Sequence, residues 1–162
     1  MAEKKRKIGK LLDLLKRFKL EKIYISSQSG VEISYTNWDA EAAWILYVEL
    51  VTRTATQPLK DGTGIEKTAL DSIHSLFPTV REVLKLYGRN ARDFTRIAIL
   101  VLNKLIRPFT SKWHLLSVNN AFEKEDKRNE FRLELEELRL DLLQYASLLA
   151  DMAKVEDFSI IE

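Results

Sequence analysis

Residues 131–152 read FRLELEELRLDLLQYASLLADM, and this stretch decides the fold. Its large apolar side chains recur at alternating intervals of four and three residues, which places them along one face of an α-helix. The stripe comprises Phe131, Leu135, Leu138, Leu142, Tyr145, Leu149 and Met152, and we expect Leu133, Leu140, Leu143 and Leu148 to widen it. A wide stripe favours packing inside a bundle over a two-stranded coiled coil. The pattern therefore predicts a long helix over residues 122–155 with several helical neighbours.

Helix-start signals recur upstream of this helix. In each, a side chain that can cap free backbone N–H groups is followed three residues later by an acid. The capping residues are Thr36, Thr63, Asn90 and Asn120. Pro78 is predicted to stop one helix and begin the next, Pro108 to break or kink its helix, and Gly88 to be a C-terminal cap. The resulting helices span residues 38–56, 64–77, 78–86 and 91–106.

The N-terminal region differs in charge from the rest of the chain. Residues 1–22 contain nine basic and three acidic side chains, a net charge of +6, so that the remainder carries −4 of the total of +2. Apolar residues at helical spacing make this segment a predicted basic amphipathic helix. Residues 23–35 form two alternating runs around a glycine-containing turn, which is typical of a small β-hairpin.

These patterns together predict an all-α protein, a bundle of about six helices with a possible small N-terminal β-hairpin. A length of 162 residues with 46% apolar side chains fits one domain over residues 1–162, with residues 36–155 as its helical core and 156–162 as a tail. The longest purely apolar run, residues 97–102, is too short for a transmembrane segment. The absence of cysteine excludes disulfides and suggests a cytoplasmic location.

No motif for catalysis stands out. The glycines lack the spacing of a phosphate-binding loop, and no Gly-x-Ser-x-Gly elbow is present. Asp71 and His74 lie one helical turn apart, which resembles half of a carboxylate-bridged metal site, but no second such pair follows. We therefore expect no catalytic residues, no metal and no cofactor, and a protein that is not an enzyme.

The segment over residues 105–114 is the best candidate for a binding surface. Arg107, Lys112, Trp113 and His114 cluster after a predicted helix break, where the chain can present side chains to a ligand or partner. The alternative is structural, with Trp113 packed against the bundle and Arg107 and Lys112 solvated. Arg53 forms a second candidate, which a surface ion pair with Glu49, four residues earlier, explains adequately. If Arg53 instead lies near Arg107 and His114, the three make a cationic pocket for a carboxylate or phosphate.

The basic N-terminal segment is a candidate for binding an anionic partner. Its first cations are Lys4, Lys5, Arg6, Lys7 and Lys10. Such a cluster could contact several phosphates of a nucleic acid, although no groove-reading motif accompanies it.

Two stretches of the chain resemble uncharacterised small helical proteins of bacteria. They are ELVTR followed by TQPL, over residues 49–53 and 56–59, and RPFTSKWH, over residues 107–114. The resemblance carries no activity. It implies only that Arg53, Arg107, Trp113 and His114 matter, and it suggests a bacterial defence or regulatory setting.

The sequence as a whole favours a non-enzymatic protein-interaction or adaptor module. Its amphipathic helix surface exceeds what a minimal bundle needs, so that a protein partner or a homo-oligomer is expected. One alternative is a nucleic-acid-associated regulatory protein that uses residues 1–22. A second alternative is a small-ligand sensor or enzyme with a cationic pocket built around Arg53, His74, Arg107 and His114.

Overall fold

The computed structural model describes residues 35–53, 56–59, 62 and 64–159. These residues are mostly helical and contain no β-strand, which confirms the all-α prediction. The α-helices are α1 (Asn37–Val51), α2 (Glu66–His74), α3 (Leu76–Tyr87), α4 (Arg92–Val101), α5 (Arg107–Val118) and α6 (Glu125–Ala153), with a π-helical turn at Leu102–Ile106 and a 3-10 turn at Ala121–Glu123. None of the described helices has an apolar stretch long enough to cross a bilayer.

Two predicted elements fall largely beyond the described ranges. The basic helix over residues 1–22 lies outside them, as do residues 23–34 of the predicted hairpin. The number of helices in the bundle and the hairpin therefore remain predictions. The described part of the C-terminal tail lies against α1, where the Phe158 N–H donates a hydrogen bond to the Tyr47 hydroxyl over 2.5 Å.

The long helix α6 provides one side of the core. All seven residues of the predicted stripe are buried, and the stripe packs along α1. The predicted widening is wrong at Leu133 and Leu140, which are exposed.

Helix α1 begins as the capping pattern predicts but ends earlier. The Thr36 hydroxyl accepts a hydrogen bond from the Asp39 N–H, and the Asp39 carboxylate accepts one from the Thr36 N–H, which completes a capping box. The helix ends at Val51 and not near residue 56. The buried Thr56 hydroxyl donates to the Leu50 carbonyl oxygen over 2.8 Å and so satisfies an acceptor that a longer helix would have used.

The break between α2 and α3 is at Ser75, two residues before the predicted stop at Phe77. Pro78 therefore lies in the first turn of α3, where its missing N–H costs no helical hydrogen bond. The Ser75 hydroxyl donates to the Ser72 carbonyl oxygen over 2.7 Å at the end of α2. Gly88 is the C-terminal cap of α3, as predicted.

Of the predicted break or kink at Pro108, the break does not occur. Pro108 lies in the first turn of α5, which continues directly from the π-helical turn at Leu102–Ile106. The Arg107 N–H donates to the carbonyl oxygen of Leu102, five residues earlier, so that the helix widens just before the proline. This extra residue per turn lets the chain pass a proline ring that would clash with a regular α-helix. Residues 107–118 are consequently helical, and α5 has both buried and exposed sides.

Candidate functional site

A surface pocket of about 280 Å³ lies where α2, α3 and α5 meet. Its lining residues are His74, Phe77, Arg81, Arg107, Thr110, Ser111 and His114. They supply two imidazoles, two guanidinium groups and two hydroxyls, and none of them carries a carboxylate. We call this feature the cationic pocket.

Helical spacing places the lining residues on two facing surfaces. Residues three, four and seven positions apart lie on the same side of an α-helix. Contacts between α2 and α5 bring the two surfaces together. The two sets are Arg107, Ser111 and His114 on α5, and His74, Phe77 and Arg81 on the α2–α3 segment.

The two histidines of the chain contact each other in the cationic pocket. The ring centroids of His74 and His114 are 4.8 Å apart, and the rings meet edge to face at 81°. The Nε2 atom of His114 is buried and has no hydrogen-bond partner in the described part of the chain. Burial lowers the pKa of His114, and electrostatic interactions with His74 and Lys67 lower it further, whereas Asp71 acts in the opposite direction. The His114 imidazole is therefore harder to protonate than a solvent-exposed imidazole.

The two arginines of the pocket are not engaged by carboxylates. Arg107 lies over the Phe77 ring, with 5.0 Å between the guanidinium carbon and the ring centroid, and its Nε donates to the Asn103 side chain over 3.0 Å. Neither Arg107 nor Arg81 forms an ion pair with any residue that the structure describes. Both guanidinium groups can therefore bind an anion without first breaking an internal salt bridge.

The environment of the histidines does not favour a metal ion. Asp71, the carboxylate one turn before His74, forms an ion pair with Lys67. No cluster of three or more His, Asp or Glu side chains with the geometry of a metal site occurs in the described ranges. Two nearby guanidinium groups would also repel a cation.

Arg53 does not line the pocket and instead connects three helices. Its guanidinium donates to Thr79 over 2.8 Å and to Ser75, and it forms an ion pair with Glu49 at 2.6 Å. These contacts join the end of α1 to the α2–α3 junction. Of the four residues predicted for a cationic pocket, the structure therefore brings together His74, Arg107 and His114, and Arg53 lies outside the pocket.

Lys112 and Trp113 face α6, on a different side of α5 from the pocket. The Trp113 indole is fully buried, and its Nε1 donates to the Glu134 carboxylate over 2.9 Å. Lys112 donates to Glu130 over 2.8 Å and also to Glu134. Hydrogen bonds from Lys112 and Lys127 lower the pKa of Glu130 to about 2. Trp113 therefore packs against the bundle, as the structural alternative predicted, and its ring is not accessible to a partner.

Binding of an anionic partner or nucleic acid by residues 1–22 remains a prediction, because the described residues do not include Lys4, Lys5, Arg6, Lys7 and Lys10.

Sequence reasoning missed Arg81 and Ser111 as parts of the pocket. The sequence signal for these two residues is helical spacing: Arg81 lies seven residues after His74, and Ser111 lies three residues before His114. This spacing is informative only once both segments are known to be helical.

Comparisons with protein-family models, with curated proteins and with solved structures find no match to this chain. The fold and the site themselves define the class: an all-α protein with a cationic surface pocket between three of its helices.

Proposed function

We propose that the protein recognises a small ligand that carries a phosphate or carboxylate group, and that it binds this group in the cationic pocket. The observation that supports the proposal is the composition of the pocket wall: two guanidinium groups and two imidazoles with no lining carboxylate. Like charges that are held close together cost free energy unless a counter-ion offsets them. Clusters of like charge are therefore common in binding sites. Ligand recognition, and not catalysis, is the role that we propose.

The size and openness of the pocket limit the ligand. A volume of about 280 Å³ lies just below the usual range for drug-sized ligands. The pocket therefore holds an anionic group and little else of the ligand. The rest of a larger ligand would remain outside the pocket. Because Arg81 and Arg107 are both exposed, their attraction to the ligand is screened by salt.

The Arg107→Met substitution tests this proposal. Methionine keeps much of the side-chain length but removes the charge and the donors, so that we expect the Kd for inorganic phosphate to rise at least about tenfold, or about 1.4 kcal/mol. Isothermal titration calorimetry with phosphate and with acetate measures the change. The matched control is Arg89→Met, which removes an exposed arginine between α3 and α4 and should change the Kd less than about twofold. An affinity that is the same in the wild type and in the Arg107 variant would contradict the proposal.

Protein interaction is a second candidate function, supported by exposed apolar residues on α5. Leu115 is 67% exposed and Val118 is 79% exposed, and they lie one turn apart beyond His114. Exposed apolar residues at helical spacing are typical of a surface that packs against another protein. The partner that we consider first is a second copy of the chain.

Light scattering tests the second candidate. We expect a dimer at high micromolar protein that becomes monomeric when Leu115 and Val118 are both replaced by glutamate, because the charges would be buried without partners at the interface. A monomer at every concentration would exclude the homodimer. Replacement of exposed Leu133 on α6 by glutamate is the control and should leave the mass unchanged.

A further inference from the structure

Hydrogen-bond donors reach the cationic pocket from three helices. Arg81 lies on α3, Arg107 and Ser111 on α5, and His74 at the end of α2. A carboxylate has two oxygens in one plane, which a single guanidinium group can satisfy. A phosphoryl group has three terminal oxygens in a tetrahedral arrangement and nearly two negative charges at pH 7. Donors spread over three helices therefore suit a phosphoryl group better than a carboxylate.

His114 contributes a buried nitrogen that no described residue uses. Its Nε2 is shielded from solvent and has no hydrogen-bond partner among the described residues, which is unfavourable for a buried polar group. Protonation of the ring makes both nitrogens donors. An anion bound in the pocket, which His114 lines, would offset the added charge.

The charges around the histidine pair are mostly positive. The charged residues near the pair on α2 are Lys67 and Asp71, which form an ion pair with each other. Arg81 faces the pair from α3 and Arg107 from α5. Arg53, which reaches the α2–α3 junction from α1, has its charge offset by Glu49. The balance of charge thus opposes a proton on the pair until an anion binds.

We propose that the cationic pocket is a phosphoryl-binding site that takes up a proton together with its ligand. This inference rests on the proposed function and adds the ligand class and the proton. Arg81 and Arg107 bind the terminal oxygens of the dianion, while the His74–His114 pair gains a proton and donates a hydrogen bond to it. The affinity for a dianion therefore rises as the pH falls through the titration range of the pair.

Calorimetric titration of the full chain with sulfate tests the inference. Sulfate has the tetrahedral shape and double charge of a phosphoryl group but does not itself titrate near pH 7, so that any proton taken up belongs to the protein. Titrations at pH 7 in two buffers of different ionisation enthalpy report the uptake, which we expect to approach one proton per sulfate. For the same reason, the Kd should fall about threefold to tenfold between pH 7.5 and pH 6.5.

Variants of the histidines separate this effect from a general electrostatic one. His114→Asn and His74→Asn should still bind sulfate, with markedly less proton uptake and a weaker pH dependence, whereas Arg89→Met should retain both. Circular dichroism and urea unfolding establish that each variant is folded.

The outcomes distinguish the inference from the proposed function. Sulfate binding with the same enthalpy in both buffers and a Kd independent of pH would overturn the proton uptake but leave anion binding intact. Acetate binding as tight as sulfate binding would overturn the phosphoryl class. If neither anion binds, both the inference and the proposed function are overturned.

Discussion

Replacement of Trp113 by alanine is expected to lower the free energy of unfolding by about 3–5 kcal/mol. The indole is fully buried between α5 and α6. Its ring lies 5.0 Å from the Phe131 ring, edge to face, and 5.9 Å from the Phe122 ring, between centroids. Alanine would leave a cavity and remove the hydrogen bond to Glu134. Urea unfolding followed by circular dichroism measures the loss.

A surface tryptophan provides the control for this prediction. Trp44 is 44% exposed and stacks on Tyr47 at a centroid distance of 6.0 Å, so that Trp44→Ala should cost only about 1 kcal/mol. A Trp113→Phe variant, which keeps part of the aromatic contact, gives a measurable value if the alanine variant is too unstable to fold. If Trp113→Ala costs no more than Trp44→Ala, the indole is not buried in solution, and a role in binding a partner again becomes plausible for it.

Replacement of Asp39 by alanine is expected to cost about 2–4 kcal/mol, because one buried carboxylate caps two helices. Its Oδ2 accepts from the Thr36 N–H over 2.9 Å and from the Thr36 hydroxyl over 2.7 Å, at the start of α1. Its Oδ1 accepts from the Phe94 N–H over 3.0 Å, in the first turn of α4. The positive ends of both helix dipoles also favour the negative charge. Alanine would leave these donors without their acceptor.

Two further variants identify the cause of that loss. Asp39→Asn keeps the shape and one acceptor oxygen, so that its cost should be intermediate between those of the wild type and the alanine variant. Asp126→Ala removes an exposed aspartate from the first turn of α6 and should cost about 1 kcal/mol or less. Urea unfolding at pH 7 compares the three. Equal costs for Asp39→Ala and Asp126→Ala would contradict the double-capping role.

Local patterns in the sequence were sufficient to predict much of the fold. The seven-residue stripe of α6 is buried as its spacing predicts, and Thr36 and Asp39 form the capping box that their separation indicates. Both features depend on residues within a few helical turns of one another. The second use of Asp39, as an acceptor for Phe94, joins residues 55 positions apart and leaves no local signal.

One error about a proline had consequences for the candidate site. A break at Pro108 would make residues 107–114 a single irregular surface. In the structure, the π-helical turn continues the helix past Pro108. Once α5 is a helix, Arg107 and His114 share one side because they are seven residues apart, whereas Trp113 points elsewhere. The π-helical turn directly precedes Pro108, and the proline alone did not distinguish such a turn from a break.

The convergence of the two histidines was also beyond the sequence. His74 and His114 lie 40 positions apart, and only the packing of α2 against α5 brings their rings together. The sequence offered Arg53 as a third member of a cationic pocket with equal justification. The ion pair of Arg53 with Glu49 follows from their spacing of four residues, whereas the contact with Thr79, 26 positions away, depends on tertiary structure.

The paired histidines of the cationic pocket are the feature that a single measurement tests most directly. The chain contains only 2 histidines, so that their ring protons can be assigned from one variant and followed by NMR during titration with phosphate. We predict a nuclear Overhauser effect between the two rings, and shifts of both that saturate with one Kd and are lost in Arg107→Met. Ring protons that show no mutual Overhauser effect in the folded protein, or that do not respond to phosphate, would contradict this assignment of the site.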